Sequence, residues 1–284
     1  MPSILSRAVP HFLAITGSAG VRVLVPAVNA VVPRTGYRVL PDRAYGPLPR
    51  HRLDLYVPDR PLSSAPVLVF FYGGSWQSGS KNIYRAFGQV FSSEGMIVAI
   101  ADYGLYPNVK YPTFLHDGAH VVRFLRETVE MLGGDPSRIV VSGHSAGAYI
   151  AAMLGVNPIY LNSVGGGPSW IRAVIGIAGS YDFLPLYDAA MIDIFGGARN
   201  METQPIKYAA NRAPPMLLAH GTKDSTVGAG NSRRFATRLL SYGNDVQVKL
   251  YDGIGHLDIL LSLAKPWRKR TTLHADMLQF IRSR

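Results

Sequence analysis

The sequence predicts an α/β fold, a mostly parallel sheet covered by helices on both faces. Three observations carry this. Short runs of apolar residues recur along the chain and are apolar throughout rather than alternating, the pattern of strands buried on both sides. Longer stretches with apolar residues at helical spacing separate them. One strand-like run, "RIVVSG", passes through Gly143-His144-Ser145-Ala146-Gly147 directly into a helix-compatible segment.

In chain order, the strands are expected at 52–57 ("RLDLYV"), 66–72 ("PVLVFFY"), 96–103 ("MIVAIADY"), 138–143, 172–180 ("RAVIGIAGS"), 214–221 ("PPMLLAHG") and 245–252 ("DVQVKLYD"). Helices are expected over 115–132, where Leu115, Ala119, Val122, Leu125, Val129 and Leu132 share a face, then over 146–155, 228–242 and 271–283. The stretch 181–213 contains no clear strand and is mixed in polarity, which suits a small cap over the carboxyl edge of the sheet. The chain of 284 residues, 48% of them hydrophobic, is long enough for one such domain over residues 41–284.

Residues 1–40 stand apart. The run "HFLAITGSAGVRVLVPAVNAVVP" is apolar but broken by Arg22 and Pro26, so it does not read as a spanning helix. Arg7 and the "AVNA" tetrapeptide loosely mimic an export signal, but an amphipathic helix docked on the domain, a partner copy or a membrane surface is the preferred reading. A cytoplasmic protein, with peripheral membrane association as the variant, follows from that preference. The charge balance of 29 basic against 18 acidic residues gives +11, yet the basic residues are scattered apart from 265–270. With no nucleic-acid motif beside it, this charge reads as a solvated surface. Cysteine is absent, which removes disulfides, thiolate metal sites and a cysteine nucleophile.

A serine set between two glycines at a strand-to-helix turn is the arrangement that exposes a nucleophile. A β-carbon at Gly143 or Gly147 would meet the neighbouring strand or helix, and the N–H of Ala146, at a helix start, is placed to donate to an oxyanion. The bare pattern is weak, and the strand–helix context strengthens it. A serine needs a base, and the base needs a carboxylate to fix its tautomer. In this architecture the order is serine, acid, histidine. His256, on the glycine-flanked loop after strand 245–252, is the expected base. His220 ends an apolar strand and reads as packed near the sheet edge, while His274 lies inside the last helix. Asp224, on the loop leaving strand 214–221, is the expected acid, with Asp182 as runner-up and Asp252 and Asp258 as loop-capping groups. Gly73 and Gly74, after strand 66–72, offer bare N–H groups for the second half of an oxyanion hole. Tyr72, Trp76 and His144 flank the site and are expected to contact substrate.

On these residues the chain resembles the α/β-hydrolase fold. More narrowly, it resembles the esterases and formamidases with an HGGxW oxyanion motif, relatives of hormone-sensitive-lipase-like carboxylesterases and kynurenine formamidases. The matching pieces are Gly73-Gly74-Ser75-Trp76, residues 102–117, Gly143 to Gly147, "GSYDFLPL" (179–186), "HGTKD" (220–224) and "GIGH" (253–256). The resemblance implies Ser145 as nucleophile, His256 as base, Asp224 as acid, and Gly73, Gly74 and Ala146 as oxyanion donors. It implies a serine hydrolase of small-molecule carboxylic esters with no cofactor; the alternatives are an amidase acting on small N-formyl or aryl amides and, in another class, a membrane- or partner-binding protein that kept the fold and lost catalysis. The resemblance departs at Tyr72, where the family usually has histidine; that side chain normally braces the loop while the backbone groups do the binding, so the oxyanion hole is expected to survive.

Other readings are weaker. His116 and His120 sit at i and i+4 on a helix, the spacing of a zinc pair, but a glycine interrupts the turn and no third ligand is in view. Asp117 between them reads as a helix cap. "VGGGPSW" (164–170) lacks the Lys-Ser/Thr of a phosphate loop. The short, half-polar cap predicts a preference for short to medium acyl chains.

Overall fold

The computed structural model describes residues 32–60, 63–265 and 267–284. Its eight strands form one sheet in the order β1-β2-β4-β3-β5-β6-β7-β8. β1 (Tyr37–Ala44), β2 (Arg52–Pro58) and β4 (Ile97–Ala101) pair antiparallel in succession. β3 (Ala65–Phe71), β4, β5 (Gly134–His144), β6 (Ala173–Ile177), β7 (Met216–Gly221) and β8 (Val246–Tyr251) run parallel. β4, β6 and β7 are buried at every position. This is why they carry no alternation.

The helices are α1 (Arg85–Ser92), α2 (Thr113–Thr128), α3 (Ala146–Val156), α4 (Pro158–Asn162), α5 (Ala189–Phe195), α6 (Gly230–Ser241), α7 (Asp258–Leu261) and α8 (Leu273–Arg282). The β3-to-β4 crossover steps one way along the sheet and the later ones step the other way. With right-handed crossovers this puts α1 on one face and α2, α3 and α6 on the other. α8 returns to the α1 face, where His274 packs on Phe91. All eleven residues of α3 are buried, and its sequence AGAYIAAMLGV has no polar stripe because α2 covers the side that the sheet does not.

One region differs from expectation. Tyr37 to Leu40, placed in the N-terminal segment, form the first half of β1, an edge strand whose exposed side chains left no apolar run to read. The 181–213 stretch is built from α5 and two 3-10 turns, Met201–Thr203 and Pro205–Tyr208. The expected N-terminal docking helix lies largely in residues 1–31, outside the described residues.

Candidate active site

Ser145 sits in the turn between β5 and α3 with φ 55° and ψ −119°, backbone space that a side chain disfavours. Such a residue costs on the order of 1–3 kcal/mol and persists only where its surroundings over-determine it. Here the glycines do so. A Cβ on Gly143 would lie 2.3 Å from the backbone of Gly147, and one on Gly147 would lie 2.0 Å from the Phe71 carbonyl oxygen. The Ser145 N–H also donates to the Ile177 carbonyl at 2.9 Å, tying the turn to β6.

The Gly73 loop packs directly onto this turn. A Cβ at Gly73 would come within 2.9 Å of Ser145 Cβ and 3.0 Å of His144 Nδ1. Gly74, Ser75 and Trp76 all have positive φ, at 139°, 54° and 60°. The Ala146 N–H opens α3 and so has no acceptor within the helix.

Tyr72 takes a different place from the one expected. Its ring is fully buried between Tyr84 and Tyr103. Its hydroxyl donates to Asp102 Oδ1 at 2.6 Å and accepts from Arg50 Nη2 at 2.6 Å. Burial foremost, then the neighbouring Tyr103 phenol and the Asp102 carboxylate, raises its pKa well above the ordinary phenol, so it stays protonated. The same Asp102 Oδ1 accepts the Lys81 N–H at 2.8 Å, and Arg50 also reaches the Gly79 carbonyl at 3.2 Å. Tyr72 therefore braces both ends of the glycine loop and does not face the site. Neither Arg50 nor Asp102 carries a sequence signal for this role.

His144 is likewise a brace. Its Nε2 lies 2.9 Å from the His256 carbonyl oxygen. A carbonyl only accepts, so Nε2 carries the proton. Burial, and next the nearby His256, push its pKa down to about 3, so it holds that carbonyl as a neutral ring. The two rings lie 4.6 Å apart.

Trp76 is 3% exposed and forms a wall with Tyr149 of α3, Phe114 of α2, and Phe183 and Phe195 of the cap, at ring-centroid distances of 4.8 to 6.1 Å. The cap thus contributes aromatic surface that its half-polar composition concealed.

Asp224 and His256 meet across the β7 and β8 loops. His256 Nδ1 lies 2.7 Å from Asp224 Oδ2, while Oδ1 accepts the N–H groups of Thr226 at 2.9 Å and Val227 at 2.8 Å. Burial alone would raise the Asp224 pKa. Hydrogen bonds from His220 and His256, the His256 charge and the Val227 N–H outweigh it and hold the carboxyl well below the usual carboxylate range. No hydrogen bond joins Ser145 Oγ to His256 among the described residues, a contact that often tightens only once substrate is bound. Asp182, the runner-up acid, pairs with Arg234 instead. Asp252, on the loop after β8, accepts from Thr222, and Asp258, the first residue of α7, accepts from the Gly255 N–H and pairs with Arg270.

His116 and His120 turn to different partners, the Ser163 hydroxyl and the His51 ring. Asp117 does not cap α2, which starts four residues earlier. It is buried, accepts the Gly104 N–H at 2.7 Å and pairs with His51 Nε2 at 3.0 Å.

The assembled groups are a hydroxyl on a strained turn, a histidine whose tautomer a buried carboxylate fixes, and backbone donors beside them. That set can perform acyl transfer. Comparison with known proteins agrees in kind. A probable isoprenylcysteine alpha-carbonyl methylesterase of Arabidopsis thaliana, ICMEL1, is 33% identical over 240 residues, covering 76% of this chain and 50% of that protein. Esterase LipC of Mycobacterium tuberculosis is 30% identical over 261 residues, covering 82% of this chain and 62% of that protein. The chain thus spans about half to three fifths of these relatives. Among solved structures, the propionate-bound esterase Est2 of Thermogutta terrifontis superposes with a TM-score of 0.71 at 27% identity, covering 88% of this chain and 96% of that one. The BD-FAE family model matches residues 53–239, and the chain belongs to that family, within the α/β-hydrolase fold.

Proposed function

We propose that the protein is a serine hydrolase of carboxylic esters that works through an acyl-enzyme. The observation that carries this reading is the 2.7 Å contact between Asp224 and His256 Nδ1, on loops that meet beside the Ser145 turn. With Nδ1–H donated to the carboxylate, Nε2 is left as the acceptor.

Ser145 Oγ attacks the ester carbonyl, and its proton passes to His256 Nε2. The carbonyl electrons move onto oxygen, where the N–H groups of Gly73, Gly74 and Ala146 stabilise the charge. Collapse expels the alcohol, which takes the proton from His256, leaving an acyl-serine. Water then attacks, giving its proton to His256, and the acid leaves as Ser145 recovers the proton. Asp224 stays ionised throughout and stabilises the imidazolium.

The substrate is an ester of short to medium acyl chain. The packing of Trp76, Phe114 and Tyr149 against the cap rings Phe183 and Phe195 supports this reading, since rings packed on one another leave little apolar wall for a long chain. Each further methylene raises kcat/KM only while there is wall to bury it, at about 0.8 kcal/mol apiece. A p-nitrophenyl ester series with a parallel set of N-formyl amides tests this. The expected result is a maximum between acetyl and hexanoyl. A steady rise to dodecanoyl would overturn the chain-length reading, and inert esters with fast amide cleavage would make the protein an amidase. No helix among the described residues is long and apolar enough to cross a membrane.

A further inference from the structure

A second histidine touches the acid. His220, the last side chain of β7 before Gly221, has its ring fully buried. Its Nε2 lies 2.7 Å from the Val227 carbonyl oxygen and 3.2 Å from Asp224 Oδ2, the same oxygen that holds His256. Its Nδ1 lies 2.8 Å from the hydroxyl of Ser232 in α6, also fully buried.

These contacts decide the tautomer. The Val227 carbonyl and the Asp224 carboxylate can only accept, so Nε2 carries the proton. In a neutral ring Nδ1 is then the acceptor, and Ser232 donates to it. The Nε2–H is shared between the two ends of the 224–227 turn, while the N–H groups of Thr226 and Val227 hold the other carboxylate oxygen. All four donors that fix the Asp224 carboxylate are thereby accounted for: two backbone N–H groups on Oδ1, and His220 and His256 on Oδ2.

We propose that His220 is a positioning residue for Asp224. With its Nε2–H at the two ends of the 224–227 turn and Nδ1 held by Ser232, it closes that turn and fixes the direction from which Oδ2 meets His256. This rests on the ester-hydrolase reading above.

The test uses the full chain and three variants. His220→Leu keeps much of the ring's volume and removes the donor. His220→Gln restores an N–H at similar reach. Ser232→Ala frees the ring. The measurements are kcat and KM on p-nitrophenyl acetate, kcat/KM against pH, fluorophosphonate labelling rate and melting temperature. Loss of an outer-shell partner at metal sites costs about 10- to 100-fold, and a fall of that order in kcat is expected for His220→Leu, with KM nearly unchanged and labelling slowed in step. The acid limb of its pH profile should move upward, since no second donor then draws on Oδ2. His220→Gln should recover most of kcat and the parental limb, and Ser232→Ala should show a smaller loss in the same direction.

Parental kcat and pH profile in His220→Leu would overturn the proposal. So would a His220→Gln protein that melts like the parent yet loses as much as His220→Leu. Should His220→Leu fail to fold, Ser232→Ala decides. Lower kcat at an unchanged melting temperature supports the proposal, and unchanged kcat overturns it. A parent that neither hydrolyses esters nor labels overturns the ester-hydrolase reading itself, an outcome distinct from an active parent indifferent to position 220.

Discussion

The Ser145 turn and the Asp224 turn lie at the same edge of the sheet and are held by opposite means. At Ser145 the geometry is fixed by exclusion. Gly143, Gly147 and Gly73 leave room for no more than hydrogen, and the nearest obstacles include backbone atoms at 2.0 to 2.3 Å that cannot rotate away. At Asp224 the geometry is fixed by donation, with four hydrogen-bond donors converging on one buried carboxylate. A site held by exclusion fails abruptly when anything is added. A site held by donation fails by degrees as donors are removed, and its donors include groups that titrate.

Substitutions can break or sharpen this contrast. Ser145→Ala removes the nucleophile and should lower ester turnover by roughly 10⁶-fold and abolish fluorophosphonate labelling, with the fold intact by circular dichroism. A variant that still labels would place the nucleophile elsewhere. Asp224→Asn should cost about 10⁴-fold in kcat, because an amide in that place favours the wrong tautomer of His256. Asp182→Asn should remain near the parent, since it loses an exposed pair with Arg234 worth about 1 kcal/mol or less. Reversed results would move the acid to the β6 loop.

Gly147→Ala tests exclusion directly. A Cβ 2.0 Å from the Phe71 carbonyl forces a backbone shift, expected to cost about 3 kcal/mol and to lower the melting temperature by on the order of 10 °C. An undisturbed melt would mean that the turn is more pliable than its contacts imply. Tyr72→Phe lies on the donor side of the contrast. It removes the hydroxyl shared by Asp102 and Arg50 while sparing the ring stack, so kcat should fall about 10-fold, a part of the roughly 100-fold that losing an oxyanion donor costs.

One effect appears only at acid pH. His144 titrates near 6.5 in an unfolded chain but is pushed down to about 3 when folded. Between those values the unfolded state binds one more proton, so stability falls with falling pH by about 1.4 kcal/mol per unit from this group alone. His144→Gln keeps an N–H donor for the His256 carbonyl and should flatten the stability curve below pH 6.5 by one proton. Equal slopes in denaturant titrations of the two proteins would show that His144 is charged when folded.

How much of this was legible depended on whether position alone implied a partner. The interior parallel strands and α3 could be read because burial on all sides leaves only apolar residues. β1 could not, since half of an edge strand faces water. Ser145, His256 and Asp224 sit at loop positions that the strand order dictates, and the structure brings the loops bearing them together. Tyr72 and His144 were expected to face substrate because they adjoin the site in sequence. Adjacency does not give direction, and both turn inward to brace loops. Arg50 had no local pattern to mark it, and Asp102, which opens the matched 102–117 stretch, had nothing local to tie it to Arg50, 52 residues before it, or to Tyr72. His220 was passed over because an apolar strand end is an ordinary place for a packed ring, although its neighbour Asp224 four positions on could have raised the question.

One contact set has a wider consequence. Trp76 belongs to the glycine loop, yet its nearest ring is Phe195 of the cap at 4.8 Å, with Phe183 stacked beside it. The cap and the glycine loop are thus joined by packed rings, so on the ester-hydrolase reading proposed above substrate selection and charge stabilisation share one mechanical unit. A cap transplanted from another hydrolase would arrive without the rings that seat Trp76, and the loop's three left-handed residues would have lost a support. Specificity in this scaffold is then inherited together with rate. Variants that widen the substrate range by trimming Phe183 or Phe195 should slow every substrate, old and new, until position 76 is changed to match.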